Sequence, residues 1–172
     1  CIPIYPRIII EDADKVGKTM NLLQYSRRIN DSMPKKCVQD AINLLLKNKI
    51  KSKNAKIAVL GLGFRGDVAD TRLSPTYDVV NEFIKKGCNV IVHDPYVFED
   101  KNLPKTVSLS KNLKYVTKDA DLIFISSDHK IYSKLTSKSF SNANKSVLFF
   151  DGRNILSKNN FPPAKIKTIG KG

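Results

Sequence analysis

The segment that most constrains the fold of this chain is residues 56–86, which read KIAVLGLGFRGDVADTRLSPTYDVVNEFIKK. It begins with a short apolar run of the kind that a buried parallel strand uses. A glycine-rich turn follows. A helix is predicted to begin near Ser74 and Pro75, because serine is a good N-cap and proline a good first helical residue. Strand, glycine turn and helix together predict a nucleotide-binding βα unit in an α/β fold.

Three glycines of this turn, Gly61, Gly63 and Gly66, satisfy the dinucleotide-binding pattern G-x-G-x-x-G. In that pattern the third glycine packs inside the helix, whereas here residues 67–73 separate Gly66 from the predicted N-cap. The loop is therefore predicted to be longer than a dinucleotide-binding turn. A second interpretation stays open, in which the glycines mark a tight strand exit and the loop arginines lie in solvent.

Further apolar runs predict the rest of a parallel sheet. Their ranges are 89–94 (NVIVHD), 121–127 (DLIFISS), 146–151 (SVLFFD) and, as an edge strand, 165–169. Because the carboxyl ends of parallel strands meet at one edge, the loops at 61–72, 94–96, 127–129 and 152–154 should converge there. Asp94 and His129 fall in these loops, where each is either a structural polar group or a ligand contact.

The first third of the chain is predicted to differ from the rest. Residues 1–10, CIPIYPRIII, read as an extended segment that is buried against something larger. Residues 11–50 carry apolar residues at helical spacing, and Pro34 should kink or break this helix. Such a helix either packs inside a core or finds a partner, and periodicity alone leaves both open.

Composition limits the classes of function. The 172 residues carry 30 Lys+Arg against 16 Asp+Glu, a formal net charge of +14, which favours polyanionic partners. The basic residues are scattered singly, so a lysine-rich solvated surface explains the charge as well. We see no apolar run long enough for a membrane span, no signal peptide, and no metal or disulfide spacing among the three cysteines, which fits a reducing cytoplasm.

Three stretches in order along the chain carry a specific resemblance: CIPIYP at the start, SRRINDSMPKKCV near residue 30, and GLGFRGDVADTRLSP after residue 60. Together they resemble the C-terminal part of the UDP-glucose/GDP-mannose dehydrogenase family, and most closely its UDP-N-acetyl-D-mannosamine branch. The resemblance implies a parallel-sheet, Rossmann-like UDP-binding domain preceded by a long dimerisation helix. The implied division is 1–14, the tail of a catalytic segment; 15–50, the central dimerisation helix; and 51–172, the UDP-sugar-binding α/β domain.

The same resemblance implies roles for individual residues. Cys1 falls on the nucleophile that becomes a thioester. Phe64 and Arg65 would contact the UDP-sugar, Arg153 its diphosphate, and Arg72 the NAD. Arginine suits such contacts because its planar fork binds phosphate oxygens bidentately. The chain departs from the family pattern at two of its positions. It has Tyr5 where relatives often carry an aspartate that helps to activate water, and Arg65 where they usually carry a lysine.

The implied activity is oxidation of C6 of the nucleotide sugar to the uronate in two NAD-dependent steps, in the cytoplasm. The expected partners are the UDP-sugar, a second copy or more of the chain, and an N-terminal NAD-binding domain outside this sequence. Without that domain the piece should be inactive. No nucleic acid or membrane is expected to bind. Two rivals remain: a stand-alone nucleotide-binding regulatory module, and a basic nucleic-acid binder, which would explain the charge but not the buried strands.

Overall fold

The computed structural model describes residues 3–170, so that Cys1 lies outside the described part. Its centre is a six-stranded sheet in which every pairing is parallel. The strands are β1 (Lys56–Leu60), β2 (Asn89–His93), β3 (Ser108–Ser110), β4 (Leu122–Ile125), β5 (Leu148–Asp151) and β6 (Ile166–Thr168). The α-helices are α1 (Tyr5–Lys15), α2 (Asn21–Lys47), α3 (Thr76–Lys85), α4 (Leu113–Thr117) and α5 (Lys130–Ser133). Short 3-10 turns lie at Ser137–Phe140, Lys158–Asn160 and Pro163–Lys165.

The strand order is β3-β2-β1-β4-β5-β6, which confirms the predicted Rossmann-like α/β class. Ile57 of β1 pairs with Val90 of β2 on one side and with Leu122 of β4 on the other. The chain therefore winds outward in both directions from β1. Where the order reverses, between β1 and β4, the loops at the carboxyl ends splay apart, and ligands of such sheets bind in that crevice.

Alternate side chains of the strands enter two apolar layers, one on each face of the sheet. On one face, Ile57, Val59 and Phe124 pack with helices α2 and α3. On the other face, Leu60 and Ile123 pack with the segments around α4 and α5. These strands are buried on both faces, which explains why they read in the sequence as continuous apolar runs.

The prediction of an extended, buried N-terminal segment is wrong for the described residues, because the chain is helical from Tyr5. Pro6 lies in the first turn of α1, where its missing N–H would have had no helical partner in any case. Ile8 and Ile9 are half-exposed rather than buried. Gly17, at a φ of 68°, then separates α1 from α2.

Helix α2 runs without a break through Pro34, so the expected interruption does not occur. Its side chains that enter the core follow the proline: Cys37, Val38, Ala41, Ile42 and Leu45. Before Pro34, only Arg27 is buried among the described residues of this helix. The second half of α2 is thus fixed on the sheet, whereas the first half extends beyond it.

Two local features differ from expectation, the edge strand β3 and the start of helix α3. The segment 96–110, in which no strand was predicted, includes the short edge strand β3, whose two serines give no strand pattern. Helix α3 begins at Thr76 with Pro75 rather than Ser74 as its N-cap, so the predicted start is wrong by one residue; the Ser74 hydroxyl accepts the Thr76 N–H at 3.3 Å but does not cap the helix. In residues 3–170 no helix is both long and apolar enough to cross a membrane.

Candidate functional site

The glycine loop after β1 is held against the end of β4 at a distance that excludes side chains. A Cβ on Gly61 would lie 2.3 Å from the Cβ of Ser127, and one on Gly66 would lie 2.3 Å from the carbonyl oxygen of Asp128. Gly61 also has a φ of 99°, which side chains disfavour. The pattern G-x-G-x-x-G is met here because backbones touch, and Gly66 lies in a loop rather than inside a helix.

Asp94, at the end of β2, anchors this loop from below. Its fully buried carboxylate accepts the N–H groups of Leu62 at 2.8 Å and Gly63 at 2.9 Å through Oδ2. Its other oxygen accepts the N–H groups of Tyr96 and Val97. Burial alone would raise the pKa of Asp94, but these bonds and His129 hold it well below its usual value. Asp94 is therefore a structural group that is ionised at neutral pH.

His129, which follows β4, holds the same loop from the other side. Its Nδ1 accepts the N–H of Asp67 at 2.9 Å, so the neutral ring carries its proton on Nε2, which lies 3.2 Å from Oδ2 of Asp94. The ring of Tyr96 stacks on the imidazole at 5.3 Å. With both ring nitrogens engaged in the loop, His129 serves as a structural group, which decides between the two roles left open from the sequence.

The candidate site is a cleft of about 540 Å³ above the glycine loop, between the sheet and the first two helices. It brings together three of the predicted ligand contacts, Phe64, Arg65 and Arg153. Phe64 and Arg65 come from the loop after β1, and Arg153 from the turn after β5. Two arginines from different loops thus face one space, an arrangement suited to a diphosphate.

The helices add cations that were not predicted. Arg7 of α1 and Arg27 of α2 line the same cleft, and the carboxylate of Asp31 bonds Arg27 and lies 3.7 Å from Arg7. Arg27 and Asp31 are four positions apart in the sequence, which was a detectable helical pair. Apolar spacing alone does not reveal this pair.

A smaller niche of about 220 Å³ adjoins the cleft beneath Arg153. Asn30, Pro34 and Arg153 line both spaces, while Cys37 and Phe124 line only the niche. Its walls are mainly apolar, so it offers room for a flat, uncharged group beside the arginine.

Arg72 lies apart from these residues. It lines neither space, its side chain is 87% exposed, and its guanidinium binds the carboxylate of Asp70 with two nitrogens at 2.9 and 2.8 Å. The hydrogen bond from Arg72 lowers the pKa of Asp70 to about 2. The structure therefore does not bring Arg72 together with the other predicted contacts.

Among the cysteines, the two described thiols are unsuited to nucleophilic chemistry. Burial raises the pKa of Cys88 to about 11 and also raises that of Cys37. Cys1, the predicted nucleophile, lies outside the described residues, whereas Tyr5 begins helix α1 with its side chain exposed. Within residues 3–170 no group of His, Cys, Asp and Glu is placed to hold a metal ion.

Comparison with known proteins fits this geometry. Residues 58–158 match the sequence model of the UDP-glucose/GDP-mannose dehydrogenase family, UDP binding domain. A UDP-N-acetyl-D-mannosamine dehydrogenase of Pyrococcus horikoshii is 30% identical over 174 residues, covering 100% of this chain and 38% of that protein. The corresponding protein of Methanocaldococcus jannaschii is 32% identical, over 92% of this chain and 34% of its own length.

Solved structures give the same picture. The UDP-D-ManNAc dehydrogenase of P. horikoshii superposes with a TM-score of 0.81 at 30% identity, covering 99% of this chain and 38% of that one. The NDP-N-acetyl-D-galactosaminuronic acid dehydrogenase of Methanosarcina mazei gives 0.76 at 32% identity, over 87% of this chain and 31% of that one. The chain thus spans little more than a third of the curated relatives it matches.

Proposed function

Since the chain belongs to the UDP-glucose/GDP-mannose dehydrogenase family, we propose that it is the C-terminal, UDP-sugar-binding part of a longer dehydrogenase. The substrate proposed for the whole enzyme is UDP-N-acetyl-D-mannosamine, and the product is UDP-N-acetyl-D-mannosaminuronate. Support for this sugar comes from the names of the relatives from P. horikoshii and M. jannaschii.

The observation that carries the proposal is the meeting of Arg65 and Arg153 in one cleft at the crevice of the sheet. A diphosphate offers several anionic oxygens, and two guanidinium groups from separate loops can bind them with charge-assisted hydrogen bonds. Phe64 beside them supplies an apolar surface for a ring. These three residues are the proposed substrate contacts.

The glycine loop supports nucleotide-sugar binding over dinucleotide binding. In a dinucleotide-binding turn the helix N-terminus faces the pyrophosphate, whereas here residues 67–75 separate Gly66 from α3. In the described part of the chain, Arg72 is the one residue proposed to reach NAD, and its guanidinium already has a carboxylate partner. The rest of the NAD site would belong to a domain outside this chain. When bound, NAD supplies the hydride acceptor for both oxidations.

Cys1 is proposed as the covalent nucleophile. Its thiolate adds to the C6 aldehyde, holds the acyl group as a thioester after oxidation, and leaves when water attacks. The high pKa values of Cys37 and Cys88 support this choice, because neither thiol would ionise readily near neutral pH. With Tyr5 in place of the aspartate of many relatives, another group would have to orient that water.

The remaining parts of the proposal concern partners and location. A homodimer or larger homo-oligomer would form through α2, and the enzyme would act in the cytoplasm, where NAD is available. This chain alone would not catalyse the oxidation. The rival function, a regulatory module that binds nucleotides without any attached catalytic domain, predicts the same cleft but no role for Cys1.

The test uses the full-length enzyme with UDP-N-acetylmannosamine, UDP-N-acetylglucosamine and UDP-glucose as substrates. Arg153→Ala should weaken nucleotide-sugar use by about 1.5–3 kcal/mol, the scale of a hydrogen bond to a charged group. The control is Lys134→Ala, because Lys134 is an exposed cation after α5 that lines neither the cleft nor the niche. Unchanged use of all three sugars by Arg153→Ala would remove the cleft from the function.

The nucleophile needs a separate pair of variants. Cys1→Ala should form little or no sugar acid, whereas Cys1→Ser should stall as an ester that intact-mass spectrometry detects. Each sugar acid made by the unaltered enzyme should be accompanied by two NADH, in line with the two proposed oxidations. Normal acid production by Cys1→Ala would leave Cys1 without a chemical role and would favour a different nucleophile.

A further inference from the structure

One carboxylate oxygen joins the two loops that supply the arginines of the cleft. Oδ1 of Asp128, just after β4, accepts the N–H of Gly66 at 2.8 Å and lies 3.3 Å from Nη2 of Arg153. Gly66 directly follows Arg65, so this bond fixes the peptide plane between them. Asp128 thereby connects the backbone beside one arginine to the side chain of the other.

The contact with Asp128 holds the side chain of Arg153 but leaves hydrogen-bond donors of its guanidinium group available. The contact of the Arg153 guanidinium with Asp128 is made by Nη2, which leaves Nε and Nη1 for other acceptors. These nitrogens remain available on a side chain that lines both the cleft and the niche. Arg153 is 37% exposed and Asp128 is 41% exposed, so both are within reach of a ligand from solvent.

Asp128 has the charge that this contact needs. Partial burial would raise its pKa, but the nearby charge of Arg153 and the N–H of Gly66 lower it below the usual value. The carboxylate is therefore ionised at neutral pH. Its position is also fixed, because a Cβ on Gly66 would lie 2.3 Å from the Asp128 carbonyl oxygen, and the next residue, His129, accepts the N–H of Asp67.

We propose that Asp128 is a positioning residue, which orients Arg153 and the Arg65–Gly66 peptide so that both arginines bind the same diphosphate. This inference rests on the proposed function of the cleft. A long arginine side chain loses rotamer freedom when it binds, and one that is already held loses less. The negative charge of Asp128 acts in the opposite direction, since it repels an anion nearby. The proposal is that orientation outweighs repulsion.

Orientation and repulsion predict opposite changes in the Kd for UDP when Asp128 is replaced, so the direction of the change decides between them. In the full-length enzyme, Asp128→Asn and Asp128→Ala should each raise the Kd for UDP, measured by calorimetry, about tenfold. The KM for the nucleotide sugar should rise with the Kd while kcat stays within about twofold, because Asp128 does not touch the reacting atoms. If Asp128→Ala does not fold, Asp128→Asn serves as the test, because its side-chain oxygen can still accept the N–H of Gly66.

Two controls separate positioning from other causes. Asp119→Asn removes an acidic residue at the opposite end of β4 and should leave UDP affinity unchanged. In an Arg153→Ala background, Asp128→Asn should no longer raise the Kd for UDP, because the arginine that Asp128 orients is gone, asparagine still accepts the N–H of Gly66, and only the repulsion of the anion is removed.

The Asp128 variants test the positioning role, and Arg153→Ala tests the proposed function of the cleft. If Arg153→Ala weakens UDP binding but the Asp128 variants bind UDP as tightly as the unaltered enzyme or more tightly, the positioning role is overturned and the proposed function stands. If Arg153→Ala itself leaves UDP binding unchanged, the proposed function of the cleft fails first.

Discussion

Nε2 of His129 lies 3.2 Å from Oδ2 of Asp94, and both side chains are completely shielded from solvent. Asp94 directly follows β2 and His129 follows β4, the two strands that flank β1 in the sheet. The contact therefore passes beneath the glycine loop that leaves β1. From either side the pair accepts N–H groups of that loop, at Leu62, Gly63 and Asp67.

Asp94→Asn should destabilise the protein by about 2–3 kcal/mol, the scale of hydrogen bonds to a buried charge. Asparagine keeps one acceptor oxygen, but its NH2 group would face donors in either orientation: the N–H groups of Leu62 and Gly63 together with Nε2 of His129, or the N–H groups of Tyr96 and Val97. Urea unfolding followed by circular dichroism would measure the loss. Asp14→Asn, an exposed position on α1, is the control and should change the free energy of unfolding by less than about 0.5 kcal/mol.

The same carboxylate predicts a pH dependence of stability. The pKa of Asp94 is lower in the folded protein than in the unfolded chain. Its contribution is thus fully present above the unfolded pKa of about 3.9 and is lost as the pH falls towards the folded value. The difference in unfolding free energy between the unaltered protein and Asp94→Asn should narrow below about pH 4. A constant difference down to pH 2 would contradict the assignment.

Gly66→Ala should displace the glycine loop, because its Cβ would meet the carbonyl oxygen of Asp128 at 2.3 Å and no flexible side chain can yield. Amide NMR shifts of Leu62 to Asp67 should change together, and UDP binding should weaken. Gly17→Ala is the matched comparison: its Cβ would meet nothing within 4 Å, so only its positive φ opposes the change. That variant should cost about 1–2 kcal/mol and leave the loop shifts unaltered.

Self-association should depend on the first half of α2. Leu22, Tyr25 and Ile29 are spaced along one face of this helix and are 80%, 59% and 49% exposed. Leu22→Glu should convert a dimer into monomers in sedimentation equilibrium, because a carboxylate would have to be buried at the interface. Ile131→Glu, on the half-exposed Ile131 of α5, should leave the dimer intact. Equal dissociation of both variants would place the interface elsewhere.

Whether a feature could be predicted from the sequence depends on how far apart along the chain the interacting residues lie. The buried strands and α3 were predictable because their signals are local: continuous apolar runs, a serine and proline before the helix, and a glycine after it. Helix α1 was missed because Pro3 and Pro6 read as breakers, although a proline in the first turn does not interrupt a helix.

The contacts that shape the site are not local. Asp94 reads as an ordinary polar residue at a strand end until the parallel register places it under Leu62 and Gly63. Asp128 could not be connected with Gly66 and Arg153 for the same reason, since the three lie on loops that only the strand order brings together. The roles proposed for Cys1, Phe64, Arg65, Arg72 and Arg153 all stay predictions, and those of Cys1 and Arg72 depend in addition on parts of the enzyme outside the described residues.

The proline within α2 divides one continuous helix into two units of unequal stability. Residues 35–47 carry the side chains that enter the core, and Pro34 lacks the N–H that would bond the carbonyl of Asn30. In native-state hydrogen exchange, the amides of 35–47 should exchange only with global unfolding, whereas those of 21–33 should exchange through a local opening of lower free energy. If the first half of α2, which carries Arg27, opens more readily, the helical wall of the cleft loosens while the sheet beneath it stays folded.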